Sequence, residues 1–273
     1  MTDKPRLDEL LVERGFFNDL HAAQAAVLAG EVVVGFHCET SAGKRLDRTV
    51  DIRLKNRSNF VSRGGKKLHA ALQAFDVEVE GKNCADLGTS SGGFTDCLLQ
   101  AGAAHVSSID VGYGQFVWSL RNDKRVSLYE RTNIRNLDPA SVEGPFDLVV
   151  GDLSFISLKK IMPDVRNFCK CGAQAILLIK PQFEAAKTEV DEGGIVHNRE
   201  VHTRVIEEVI ASANDFELSC LGLAHSPVTG AKGNIEYLIF LRRSANVEND
   251  SNISNAYINE LVCCAHESLG GKS

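Results

Sequence analysis

Asp86-Leu87-Gly88-Thr89-Ser90-Ser91-Gly92-Gly93-Phe94-Thr95 stands between the short apolar run 84–87 and a stretch of helical character. Glycines at a strand-to-helix turn let the backbone approach a ligand closely and take torsion angles that other residues resist. The next strand-like run ends in Asp110, 22 residues beyond Gly88. An acid at that distance is placed to accept hydrogen bonds from ribose hydroxyls. A glycine loop followed by an acid fits both a nicotinamide dinucleotide and S-adenosylmethionine. The dinucleotide fingerprint Gly-x-Gly-x-x-Gly seats a pyrophosphate on the helix N-terminus. Here Gly92 and Gly93 fall four and five residues after Gly88, and Asp86 stands two before it. That spacing suits a ligand with a cationic amino group and no phosphate, and favours the methyl donor over the dinucleotide. The candidate cofactor contacts are Asp86, Gly88, Ser90, Gly92, Gly93, Phe94, Asp110 and Asp152.

Outward from this loop, strand-like segments at 84–87, 105–110, 127–130, 146–151, 173–180, 217–223 and 235–241 alternate with helical stretches. Such alternation predicts an α/β fold: a mainly parallel, Rossmann-like sheet covered on both faces. Residues 6–55 read as a separate small α+β unit. A first helix starts near Leu7 and stops at Gly15; a second is capped by Asp19 and closed by Gly30, with Val32-Val33-Val34 as a strand. The predicted organisation is a small domain over 1–58, a linker over 59–67, the sheet domain over 68–244 and a polar tail over 245–273. In that tail only 258–269 has helical character.

The 273 residues are 44% hydrophobic and 24% charged, which is globular material. The longest aliphatic run is Ala175 to Ile179, far below the roughly 20 residues of a membrane helix. The first fifteen residues are charged and lack the apolar centre of a signal peptide, so a cytoplasmic protein is expected. Cys38, Cys84, Cys97, Cys169, Cys171, Cys220, Cys263 and Cys264 have no paired CxxC spacing, and the histidines form no HExxH pattern, so no metal is expected. His69, His197 and His202 read as surface or packing residues. Net charge is −6, yet 44–67 holds nine Lys or Arg against two acids, leaving −13 for the rest. A basic stripe on an acidic body is what an electrostatic footprint for phosphate looks like, and equally what a solvated linker looks like.

Methyl transfer to a ribose hydroxyl needs that poor nucleophile held in line with the donor and relieved of its proton. Candidate groups belong at the carboxyl ends of strands, where open parallel sheets bind ligands. Asp152 follows the strand 146–151, Lys180 ends the strand before Pro181, Glu236 is expected within the last strand, and Lys67 opens the helix leading into the domain. Each alone reads as a surface or strand-end charge. Charges set in otherwise apolar strands are unfavourable unless paired, and together they make a Lys-Asp-Lys-Glu set.

Arg6-Leu7-Asp8, the stop at Gly15, Ala23-Gln24-Ala25 and Ala29-Gly30 before the valine strand resemble the S4-type RNA-binding domain. The chain departs from that family with Asp19-Leu20 for the usual Ser-Arg and Gly35-Phe36 for the usual Asn-Gly. Over residues 4–243 the chain resembles the TlyA, or hemolysin A, family, which joins an S4-type domain to an FtsJ/RrmJ-type methyltransferase domain. The strings that carry this are Val61-Ser62-Arg63-Gly64 with Lys67-Leu68, the loop Asp86 to Asp96, Gly151-Asp152-Leu153-Ser154-Phe155-Ile156-Ser157-Leu158, and Ile179-Lys180-Pro181-Gln182-Phe183-Glu184. The resemblance implies a catalytic tetrad on Lys67, Asp152, Lys180 and Glu236, with Lys180 as base. It also implies 2′-O-methylation of cytidine in ribosomal RNA, with S-adenosylmethionine as donor and ribosomal RNA or subunits as partner. Arg6, Lys44, Arg45, Arg48, Arg53, Lys55, Arg57, Arg63 and Lys66 are the candidate RNA contacts.

Base amino-methyltransferases show Asp/Asn-Pro-Pro-Tyr/Phe where this chain has Asp152-Leu153-Ser154-Phe155, and a cytosine C5 enzyme needs a Pro-Cys pair that is absent here. The alternatives are a membrane-active hemolysin-like protein, which would need an apolar or basic amphipathic segment, a non-catalytic ribosome-assembly factor, and a nicotinamide-dependent oxidoreductase.

Overall fold

The computed structural model describes residues 4–17, 19–55, 59–135, 137–230, 232–244 and 253–270. The chain divides between Asn59 and Phe60 into two compact units.

The first unit packs α1 (Leu7–Glu13) and α2 (Leu20–Leu28) with β1 (Val32–Val34), β2 (His37–Glu39) and β3 (Ile52–Leu54). Asp19 caps α2 by accepting the Ala22 N–H at 2.8 Å, and Gly30 leaves the helix at φ +70°. The strands form an antiparallel sheet in the order β2-β1-β3. Leu7, Leu10, Leu11, Ala23, Val27, Val32 and Ile52 share its core. Asp8 is buried there and bound by Arg6 at 2.9 and 2.7 Å and by Gln24 at 2.8 Å. The Arg6 hydrogen bond above all holds its carboxyl down at about 2.

The second unit runs α3 (Arg63–Ala74), β4 (Asn83–Leu87), α4 (Gly93–Gln100), β5 (His105–Ile109), α5 (Trp118–Arg121), β6 (Val126–Tyr129) and β7 (Phe146–Gly151). There follow α6 (Met162–Phe168), β8 (Cys169–Ile179), α7 (Pro181–Glu184), α8 (Arg199–Asp215), β9 (Leu218–His225), β10 (Tyr237–Arg243) and α9 (Asn255–Leu269). The sheet order is β6-β5-β4-β7-β8-β10-β9, and β10 runs antiparallel to both its neighbours while β4 to β8 are parallel. Alternate residues of the central strands face opposite layers, as the period of a strand requires. Leu148, Val150, Ile176, Leu178 and Leu238 face the layer of α3 and α4; Val149, Ala175, Leu177, Ile179 and Ile239 face that of α6, α8 and α9. The direction of strand progression reverses between β4 and β7, which opens a crevice beyond their carboxyl ends.

Three boundaries differ from expectation. Helix α3 begins at Arg63, so 63–67 is not linker; its N-cap Ser62 accepts the Gly64 N–H, and Asp96 accepts the Val61 N–H at 2.8 Å. Glu236 precedes β10 and does not lie in it, because the β8–β10 ladder begins at Tyr237 opposite Ile179 and Lys180 is already the N-cap of α7. The tail helix starts at Asn255, earlier than its sequence suggested, and buries Ile258, Val262 and Ala265 in the core, because it carries an apolar face that α8 and β9 cover.

Candidate active site

The glycine loop lines the crevice through backbone that side chains would obstruct. Gly88 has φ +80°, and a Cβ there would meet Leu153 Cδ2 at 2.9 Å and Asp152 O at 3.3 Å. Gly92, at φ +96°, caps α4, and a Cβ would meet Leu120 at 2.6 Å. Ser90 donates its N–H to Asp110 Oδ2 at 2.7 Å, and Gly112 donates to Asp110 Oδ1 at 2.6 Å, so the acid after β5 ties the loop to the neighbouring turn.

A cavity of about 420 Å³ opens here, lined by Gly88, Ser90, Asp110 and Asp152 together with Thr132, Asn133, Leu153 and Ser154. A smaller one of about 90 Å³ adjoins it, lined by Gly88, Ser90, Gly93, Phe94 and Asp152 with Ser62 and Gly64. An open groove of about 630 Å³ along Phe75, Gly222 and Tyr257 touches none of these residues. Asp86 and Gly92 line neither loop cavity. Asp86 is fully buried; its Oδ2 accepts from Thr89 Oγ1 at 2.8 Å, Thr95 N at 2.9 Å and Thr95 Oγ1 at 2.6 Å. Burial pushes its carboxyl up to about 6, against the opposing hydrogen bonds from the threonines. Its role is to shape the turn.

The four charged residues come together around Asp152, which alone of them lines the two cavities. Lys67 Nζ lies 2.6 Å from Glu236 Oε2 and 3.7 Å from Asp152 Oδ2, and Lys180 Nζ lies 2.6 Å from Asp152 Oδ1. Side-chain exposures of 9% for both lysines, 22% for Asp152 and 3% for Glu236 make this a buried chain of alternating charge. Such a chain is tolerable only because every charge has a partner. Close helix packing brings Lys67 into reach: a Cβ on Gly93 would meet Ser62 Oγ at 2.1 Å, and one on Gly65 would meet Phe60 at 2.3 Å. Gly230 makes room on the other side, where a Cβ would meet Glu236 Oε1 at 2.4 Å.

Sequence reasoning missed Ser154, which accepts a hydrogen bond from Lys180 Nζ at 2.8 Å, and Gly230, Thr132 and Asn133. Ser154 stands two residues after Asp152, and that spacing was the one signal that could have found it. Glu184 was also missed as a support: it accepts from Ser157 Oγ and Leu158 N at 2.6 Å each, and its burial raises its carboxyl above the usual range.

Three cations of the basic stripe, Lys44, Arg48 and Arg53, are paired with acids of the first unit, as is Arg6 outside the stripe. Arg6 binds Asp8, Lys44 binds Glu39, Arg48 binds Glu13, and Arg53 lies 3.2 Å from Asp51 while donating to Gly35 O at 2.8 Å. Arg45 donates to Lys4 O at 2.9 Å. Lys55, Arg63 and Lys66 are exposed, and Arg57 lies outside the described residues. His69 and His197 are exposed. His202 is buried, with Nε2 2.8 Å from Val196 O and Nδ1 2.7 Å from Tyr237 Oη, and burial lowers it to about 4.

Buried Asp86 Oδ1 and Asp152 Oδ1 accept no hydrogen bond within the described residues. Asp86 lines neither cavity, and Asp152 Oδ1 already has Lys180 Nζ 2.6 Å away. The carboxylate that fits a ligand with a cationic amino group is that of Asp152, which lines both cavities and keeps 22% of its side chain exposed. Among the described residues no helix is long and apolar enough to cross a membrane.

The family of FtsJ-like methyltransferases matches residues 60–243. The 16S/23S rRNA (cytidine-2′-O)-methyltransferase TlyA of Mycobacterium tuberculosis is 42% identical over 244 residues, 89% of this chain and 91% of that protein. Hemolysin A of Brachyspira hyodysenteriae is 38% identical over 234 residues, 85% of this chain and 98% of that protein. A solved structure from Streptococcus thermophilus, which carries a hemolysin name, superposes with a TM-score of 0.76 at 38% identity, covering 99% of this chain and 98% of that one.

Proposed function

The chain belongs to the FtsJ-like methyltransferase family, and from that premise we propose that it methylates the 2′-hydroxyl of a ribose, that of cytidine, in ribosomal RNA in the cytoplasm. The donor is S-adenosylmethionine, held between the glycine loop, Asp110 and Asp152. Bound there, it supplies an electrophilic methyl group on a sulfonium sulfur, whose C–S bond breaks as the new C–O bond forms. The observation that carries this reading is Lys180 Nζ paired to Asp152 at 2.6 Å beside the glycine-loop cavity, with Lys67 and Glu236 closing the chain.

The four charged residues divide the work. Lys180 takes the proton from the ribose hydroxyl as the oxygen becomes a nucleophile. Asp152 faces both lysines, so it holds the base in place and also borders the donor. Lys67 and Glu236 fix Asp152 from behind, and neither is exposed enough to exchange partners with water. Preorganised charge in a site shielded from water acts more strongly than in solution. Exposed Lys55, Arg63 and Lys66 supply phosphate contacts. The paired arginines of the small unit add to them, since surface ion pairs are worth little and a phosphate competes for them.

The test is transfer of label from radiolabelled S-adenosylmethionine to unmethylated ribosomal subunits by wild type and Lys180→Ala. Label in an alkali-resistant dinucleotide that the variant does not produce is the expected result. Absence of label, despite donor binding, would remove this reading in favour of a non-catalytic RNA-binding factor.

A further inference from the structure

Lys180 Nζ has two polar neighbours of different kinds. Asp152 Oδ1 lies 2.6 Å away as an ion pair, yet that oxygen accepts no well-directed hydrogen bond, so the contact supplies charge with little orientation. Ser154 Oγ accepts a hydrogen bond from Nζ at 2.8 Å, and hydrogen bonds weaken steeply when bent. The Phe183 ring, with its centroid 5.9 Å from Nζ, faces the amine from a further direction.

A base must aim its lone pair at the proton it removes. Rotation about Cε–Nζ decides that aim, and ionic attraction leaves the rotation free. We propose that Ser154 is a positioning residue for methyl transfer: its hydroxyl fixes the rotation of the Lys180 amine so that the lone pair faces the ribose hydroxyl. This rests on the methyl-transfer reading above. The Lys180 ammonium first releases a proton to solvent. The proton of the ribose hydroxyl then passes from its oxygen to the neutral Nζ, the oxygen bonds to the methyl carbon, and the electrons of the broken C–S bond stay on sulfur. Nζ donates to Ser154 Oγ both before and after that transfer, so one hydrogen bond orients the base throughout.

Ser154 is itself held in place. The Asp152 N–H donates to Leu87 O at 3.2 Å at one end of the loop, and Glu184 binds Ser157 and Leu158 at 2.6 Å at the other. Between them Phe155 adopts φ +64°, a conformation uncommon for a bulky side chain and maintained only where the surroundings impose it. Ser154 lines the larger cavity, whereas the Lys180 side chain is only 9% exposed, so the serine stands where the amine meets the cavity wall.

The experiment compares wild type, Ser154→Ala and Ser154→Thr. It reads kcat and KM for subunits, donor affinity by calorimetry, melting temperature, and the Lys180 Cε resonance in protein carrying ¹³C-lysine, assigned with Lys180→Arg. Ser154→Ala is expected to lower kcat roughly tenfold to a hundredfold, the worth of a hydrogen bond to a charged group and of a misaimed reacting atom. KM, donor affinity and melting temperature stay unchanged, the Lys180 resonance moves, and Ser154→Thr, which keeps the hydroxyl, recovers most of the rate. A Ser154→Ala rate equal to wild type, or a loss matched by an equal loss of donor affinity, would overturn the assignment while leaving methyl transfer intact. A wild type that transfers no methyl group would remove both.

Discussion

Glu236→Leu should destabilise the second unit sharply, and Lys67→Met added to it should restore most of the loss without restoring activity. Glu236 Oε2 is the nearest anion to Lys67 Nζ, at 2.6 Å against 3.7 Å for Asp152, and both side chains are almost fully buried. Removing one member of a buried pair costs about 3–5 kcal/mol because the other charge is left uncompensated. Here Asp152 remains as a second, more distant partner, which places the expected loss near the lower figure, about 3 kcal/mol. For a unit of this size that corresponds to a drop of roughly 6–12 °C in melting temperature. Replacing both partners by apolar residues leaves no orphaned charge, so the double variant should lie within about 1 kcal/mol of wild type. Its methyl transfer should stay lost, because Asp152 is no longer held. Urea unfolding of wild type, both single variants and the double variant measures the coupling as a double-mutant cycle. A cost below about 1 kcal/mol for Glu236→Leu, or a double variant no more stable than the single, would refute the buried-pair reasoning.

Other consequences can be measured separately. His202 is held neutral, lowered to about 4 from 6.5, so between those values the unfolded chain binds the extra proton. Its stabilisation is therefore complete above pH 6.5 and lost as pH falls toward 4. In that window unfolding free energy should fall by up to about 1.4 kcal/mol per pH unit, and His202→Phe should flatten the slope in acid titrations followed by circular dichroism. Gly93→Ala should cost about 1–3 kcal/mol by overpacking and lower transfer by displacing α3, since the new Cβ would meet Ser62 Oγ at 2.1 Å and Gly65 N at 2.9 Å; an unchanged melting temperature would contradict the close crossing. Changing Lys55, Arg63 and Lys66 together to Ala should reduce the salt slope of RNA binding by about 0.9 for each phosphate that is no longer neutralised, with donor affinity unaffected; an unaltered slope would place the RNA elsewhere.

The strand-to-helix glycine loop and the strand alternation were legible because they are local. A positive φ at Gly88 or Gly92 is a requirement of one position, and the two-residue period is written along each strand. The charged set was legible as residue types at strand ends, but its geometry was not. That Lys67 reaches Glu236 across 169 positions depends on two helices packing glycine against glycine and on Gly230 leaving space beside the carboxylate. The basic stripe shows the opposite case. Nine cations against two acids is a fact of sequence order, yet folding brings Glu13 and Glu39 from outside the stripe onto Arg48 and Lys44.

The sequence by itself determined the α/β class, the glycine loop and the cap of α2, since each follows from spacing or from the backbone needs of one residue, and it offered the four charged residues as residue types at strand and helix ends. Tertiary structure alone decided that Glu236 stands ahead of its strand, that α9 belongs to the core, and that Ser154 is the hydrogen-bonding partner of Lys180. These depend on where a ladder runs out of partners, on which apolar face finds cover, and on which hydroxyl meets an amine 26 residues away. Packing sets such distances, and no local pattern encodes them.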